Sequence, residues 1–153
     1  MDVRIVYFPE TKVACLEHRG SPLLEHDTVA KLIEWRLENR MHPDQHRTYG
    51  IHYTDPRITP ADDYRAEFCI SVEHDIPRNR QGVTNKSIPG GRCAVVQHLG
   101  SRDDVSAASY LYQIWFPKSG EMLRDFPMFF HYVNVGPKVQ THEMITDVYL
   151  PLK

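Results

Sequence analysis

Apolar and polar positions alternate over several short stretches of the chain, and each stretch predicts a strand. Val3 to Phe8 has this character. In Lys12 to Arg19, Val13, Cys15 and Glu17 fall on one face, and Ala14, Leu16 and His18 on the other. Gly20 ends that strand. Ser21-Pro22 supplies a side-chain cap and a proline suited to a first helical turn. Leu24, Val29, Leu32, Ile33 and Leu37 then recur at helical spacing until His42-Pro43. Tyr49 to Tyr53 predicts a strand, Thr54 to Asp63 a polar loop, and Tyr64 to Val72 a further strand.

The same order returns about 80 residues later. Pro9, Ala14, His18, Gly20, Ser21 and Trp35 fall on Pro89, Ala94, His98, Gly100, Ser101 and Trp115. The dense part sets VACLEHRGS against CAVVQHLGS. AEFCISV falls on TDVYLPL, which sets Glu67 against Asp147, and a one-residue adjustment sets His52-Tyr53 against His131-Tyr132. Strands are predicted at Val83 to Ile88, Arg92 to Leu99, Met128 to Val133 and Ile145 to Leu152. A helix carries Val105, Ala108, Leu111, Tyr112 and Trp115 and ends at Pro117, Ser119 and Gly120. Gly90-Gly91 reads as a hairpin turn. These elements predict an α+β fold of duplicated βαββ halves related by a pseudo-twofold axis. Its antiparallel sheet carries two helices on one face, with a ligand groove between them. The expected organisation is a single domain over 1–153, with a first half 1–73, a polar linker 74–81 and a second half 82–153.

Length and composition narrow the function classes. The 153 residues suffice for a core without staples, and 41% apolar with 25% charged residues argue against disorder. A net charge of −2 with interspersed signs argues against a direct nucleic-acid partner. No apolar run has membrane-helix length, and the start lacks a secretory pattern, so a cytoplasmic location with no membrane partner is expected. Cys15, Cys69 and Cys93 read as reduced thiols. Among nine histidines, His42 and His46 are separated by Pro43, while His18 and His98 read as hydrogen-bonded strand-end residues; no metal site is expected. No phosphate-cradling glycine loop is present, and no cofactor is expected.

Several motifs then resemble a known family. IWFPKSGEMLRDFPMFFHY, residues 114–132, resembles the W-L-P-x-S-G … P-x-F-E-x-Y signature of the GyrI-like small-molecule-binding family. That family includes effector-binding domains of AraC-type and MerR-type multidrug regulators and stand-alone gyrase-inhibitor-like proteins. TKVACLEHRGS, PGGRCAVVQHLGS, YTDPRITPADDYRAEFCISV and TDVYLPL are similar to its other motifs, in order, over nearly the whole chain. The resemblance implies a duplicated βαββ fold that holds amphipathic, often cationic, aromatic compounds. Because Val3 to Phe8 already reads as the first strand, with no DNA-binding segment before it, a stand-alone module is expected, monomeric or homodimeric, with DNA gyrase or a separate regulator as a further possible partner. Some relatives are hydrolases, but the family glutamate is Phe130 here, which weakens both an enzymatic reading and the usual cation chemistry. The S-G-Y tyrosine is Glu121. No catalytic residue is assigned.

The candidate ligand-binding residues follow from the signature and the helix and strand periods. Trp115 stands at the family tryptophan position, and Trp35 is its repeat mate. Phe130 and Tyr132 share a strand face, and Tyr112 and Tyr110 lie on the second helix. Glu67 interrupts an apolar strand and is the leading substitute for the missing anion. Asp147 is its mate, and Tyr149 follows on the same face.

Overall fold

The computed structural model describes residues 1–55 and 58–153. The loop expected over 54–63 contains Pro56 and Arg57, which lie outside the described residues. The chain forms two compact units: a continuous one, residues 11–88, and a split one, residues 1–10 with 89–153.

The continuous unit contains β2 (Thr11–Arg19), α1 (Glu25–Glu38), β3 (Thr48–His52), β4 (Arg65–Ser71) and β5 (Thr84–Ile88), with β1 (Arg4–Phe8) preceding it in the chain. Its antiparallel sheet has the order β5-β2-β4-β3. Ser21 accepts from Leu23 N at 3.2 Å and caps the single turn that leads into α1. One face of the sheet is closed by α1: Leu32 and Trp35 pack on Ala14, Leu16, Ala66, Phe68 and Ile70. The buried stripe is narrower than the helical period predicts. Leu24, Ile33 and Leu37 are exposed, because a single helix on a four-stranded sheet buries only its central row. The helix ends at Glu38, before His42-Pro43, and Arg40 turns the chain with φ 54°.

The split unit repeats this plan with β1, β6 (Gly91–Leu99), β7 (Phe129–Tyr132) and β8 (Ile145–Pro151), in the order β1-β6-β8-β7. The duplication extends to small details. His18 and His98 each place Nε2 2.9 Å from the carbonyl of Ser21 or Ser101. Gly20 and Gly100, with φ 102° and 114°, donate to Tyr64 O and Met144 O. Tyr49 pairs with Cys69 as Phe129 pairs with Tyr149, so the 80-residue offset runs through β7 without adjustment. The one-residue adjustment is therefore corrected: His52 corresponds to Tyr132.

Three further expectations change. The first strand of each sequence half pairs into the unit that holds the rest of the other half, β1 with β6 and β5 with β2. Gly90-Gly91 therefore joins two strands that pair with other partners, and is not a hairpin turn. Glycine is required at 90 because a Cβ there would lie 2.8 Å from Glu10 N. Cys15 and Cys69 stand opposite each other on β2 and β4 and form a disulfide, so only Cys93, which is buried, remains a thiol among the described residues. The second helix is not uniform. It runs as α2 (Ser106–Tyr110), a π turn (Leu111–Trp115) and α3 (Phe116–Ser119), ended by Gly120 at φ 75°. No helix among the described residues is long and apolar enough to cross a membrane.

Candidate functional site

In the split unit the helical segment and β7 bring several predicted aromatics to the same face of the sheet. Trp115, Phe116 and Phe130 are partly buried and pack against the core of Ala94, Val96, Ala107, Leu111, Val148, Leu150 and Leu152. Phe130 and Tyr132 are parallel, with centroids 6.4 Å apart and planes at 5°. Tyr112, half exposed, stacks on Phe116 at 6.1 Å and 10°. Tyr110 is partly buried on α2. Ring pairs with one open edge or face suit planar ligands, since stacking adds to area burial. The π turn contributes directly. Trp35 follows Leu32 by three residues, whereas Trp115 follows Leu111 by four. The wider turn takes up the extra residue, keeps both Leu111 and Trp115 on the core, and leaves Tyr112 outward.

Arg102 is a neighbour that sequence reasoning missed. Its guanidinium lies 5.0 Å from the Tyr132 ring centroid, and Nη2 donates to Asn134 O at 2.7 Å. Its Nε is buried without a hydrogen-bond partner, and burial pushes its pKa down. Nothing in the repeat marks this position. Phe116 was also missed, although it immediately follows Trp115.

Asp147 and Tyr149 lie on the opposite face of β8. The neighbouring Val148 and Leu150 belong to the helix-side core, and successive residues alternate. Tyr149 stacks on Phe129 at 4.9 Å and 6°, with Phe8 edge-on at 5.2 Å. Asp147 accepts from Gln97 Nε2 at 3.0 Å and lies 3.9 Å from His131 Nδ1. These two residues are therefore not brought to Trp115.

In the continuous unit, Trp35 is 2% exposed and is a core residue. Glu67 is 1% exposed, and its neighbours Ala66 and Phe68 belong to the α1-side core, so the carboxylate lies on the other face. It accepts from Lys86 Nζ at 2.7 Å, with Arg65 Nη2 at 3.6 Å. Tyr53 joins the cluster. Burial, and then the hydrogen bond to Glu67, push its phenol well above the ordinary range. The Arg65 guanidinium covers the Tyr53 ring at 3.9 Å. Arg65 also donates to Glu17, whose carboxyl is raised by burial but held low overall by Arg19 and Arg65. Glu67 is thus neutralised within its own unit. Lys86 escaped sequence reasoning because β5 pairs with β2, a partner no local pattern reveals.

Comparison with known proteins agrees with this architecture. The chain is 43% identical, over 99% of its length and 96% of the relative's, to the probable transcriptional regulator YgiV of Escherichia coli K12. It is 29% identical, over 99% of its length and 97% of the relative's, to a DNA gyrase inhibitor of Erwinia billingiae. Its fold matches the EcmrR C-terminal domain with a TM-score of 0.76 at 17% identity, covering 99% of this chain and 97% of that one. Residues 1–153 match the GyrI-like small molecule binding domain, and the chain belongs to that family.

Proposed function

We propose that the protein is a ligand-sensing or ligand-sequestering module that binds amphipathic aromatic molecules, with cations preferred, on the aromatic surface of its split unit. The observation that carries this reading is the partly exposed cluster of Tyr112, Trp115, Phe116, Phe130 and Tyr132, where the equivalent tryptophan of the other unit is buried in a core. Ring faces attract a cation by ~0.5–2 kcal/mol per contact, so an aromatic cation is held without a carboxylate at position 130. Glu67 contributes little to that preference in this reading, because Lys86 already compensates it. Asp147 faces away from Trp115, and hydrolysis is not part of the proposal.

Calorimetric titration with methyltriphenylphosphonium and its neutral analogue triphenylphosphine oxide tests the reading. Saturable binding of both is expected, tighter for the cation, and about tenfold weaker in Trp115→Ala. Absence of saturable binding, or affinity unchanged by Trp115→Ala, rejects it. A macromolecular target such as gyrase is the second reading. It is favoured by the exposed Ile114 beside Tyr112 and by the gyrase-inhibitor relative.

A further inference from the structure

Among the described residues, Arg102 Nε and Thr146 Oγ1 are buried polar side-chain atoms without a hydrogen-bond partner. Both stand beside Tyr132. The Arg102 guanidinium lies 5.0 Å from the Tyr132 ring centroid. Thr146, 3% exposed on β8, pairs directly with Tyr132 on β7, which puts their side chains on one face. That is the helix-side face, shared with Phe130 and Val148. Buried donors and hydroxyls are normally satisfied, and one left open is destabilising.

The charge is open as well. Arg102 is partly buried, yet no carboxylate pairs with it among the described residues. Its hydrogen bond runs from Nη2 to a neutral acceptor, Asn134 O, at 2.7 Å. The nearby Asp104 is engaged elsewhere: Oδ1 accepts from Ser106 N at 2.9 Å, and Oδ2 lies 4.0 Å from His98 Nε2. The Tyr132 ring offsets part of the desolvation of the guanidinium, but a buried charge is ordinarily matched by an opposite one.

The duplication supplies a control. At the 80-residue offset, Arg102, Tyr132 and Thr146 correspond to Pro22, His52 and Ala66. Pro22 has no charge and Ala66 no hydroxyl. The shared frame therefore does not require the pair, which is present only beside Phe130.

We propose that Arg102 and Thr146 form an oxyanion subsite of the aromatic surface, one that takes the carboxylate of an amphipathic aromatic ligand. The carboxylate accepts from the guanidinium and from the Thr146 hydroxyl, while the ligand rings lie along Phe130 and Trp115. A cationic group on the same ligand is turned away from Arg102, toward Trp115 and Tyr112. Both open atoms are covered, so the partly exposed Tyr132 ring changes rotamer as the acid enters. The proposal rests on the aromatic-surface reading and adds to it an acidic group on the ligand.

The probes are (3-carboxypropyl)triphenylphosphonium and its methyl ester, titrated calorimetrically at neutral pH, where the acid is ionised. Wild type is expected to bind the acid about tenfold tighter than the ester, as for a charge-assisted hydrogen bond. The protein's own net charge of −2 favours the ester, so the preference runs against the overall field. Arg102→Gln should abolish the preference and leave the ester Kd within about twofold of wild type. Thr146→Val should reduce the preference about threefold without lowering the melting temperature of the free protein, since the hydroxyl it removes is unpaired. An acid that binds no tighter than the ester to wild type, a preference that survives Arg102→Gln, or a lowered melting temperature in Thr146→Val overturns the proposal. If the ester binds and the acid gains nothing, the subsite alone fails. If neither compound binds, the aromatic-surface reading fails and the subsite falls with it.

Discussion

The continuous and split units share strand order, turn chemistry and an 80-residue offset, yet they treat the same face of the sheet differently. In the continuous unit Gly50 pairs with Phe68, and the tryptophan of α1 sinks until 2% remains exposed. In the split unit the equivalent of Gly50 is Phe130, paired with Val148, and Trp115 stays partly buried over a π turn. A glycine adds no side chain to that face, whereas Phe130 adds a ring that the tryptophan must share space with. The opposite faces differ too: Glu67 is buried against Lys86, while Asp147 is partly exposed against Gln97. Duplication fixes the frame, and a few side chains decide which copy is a closed core and which presents a surface.

The largest effect should come from the tryptophans themselves. Trp35→Ala is expected to destabilise the protein by ~3–5 kcal/mol in urea unfolding, the cost of a large cavity in a packed core. Trp115→Ala should cost about 1–2 kcal/mol, because less of its area leaves water on folding. Equal losses would erase the contrast between the units.

A pH experiment sharpens it next. Burial pushes the His52 imidazole down to about 4, while Tyr132 at the equivalent position does not titrate in that range. The unfolded chain binds a proton below pH ~6.5, and the folded chain resists it until about 4. His52 stability is thus complete above ~6.5 and lost as pH falls toward 4, by ~3 kcal/mol at most. Between pH ~6.5 and ~4 the urea midpoint of wild type should fall more steeply than that of His52→Asn; parallel pH profiles would place the acid sensitivity elsewhere.

The acidic faces give a smaller contrast. Lys86→Ala leaves the buried Glu67 carboxylate without its ammonium and should cost ~1–3 kcal/mol. Gln97→Ala beside the more exposed Asp147 should stay within ~0.5 kcal/mol. Thermal unfolding of the two variants measures the difference, and a Gln97→Ala loss as large as that of Lys86→Ala would contradict it.

Much of this frame was legible in the sequence because it rests on local signals. Alternation marked β2, β4, β6 and β8; Gly20, Ser21, Gly100 and Ser101 marked their ends; and the offset paired Trp35 with Trp115. The strand exchange was not legible, since Val3 to Phe8 reads as a strand whichever partner it takes. The Cys15–Cys69 disulfide and the Glu67–Lys86 pair depend on the registers of β2 with β4 and β5, which spacing along the chain does not encode. The π turn left a trace in the Leu32-to-Trp35 and Leu111-to-Trp115 spacings, visible only once both leucines are known to be buried. The candidate aromatics on β7 and the second helix were recoverable from the family signature, and Glu67 from its place in an apolar strand. Its compensating partners were not.

Acrylamide quenching of single-tryptophan proteins tests the contrast between the two tryptophans most directly. Trp35→Phe reports on Trp115 alone, and Trp115→Phe on Trp35 alone. Trp115 emission should be quenched severalfold more readily than that of Trp35, and saturating methyltriphenylphosphonium should protect Trp115 while leaving Trp35 unchanged. Equal quenching of the two indoles, or no protection of Trp115 by the cation, would contradict the account of a partly exposed aromatic surface in one unit and a buried tryptophan in the other.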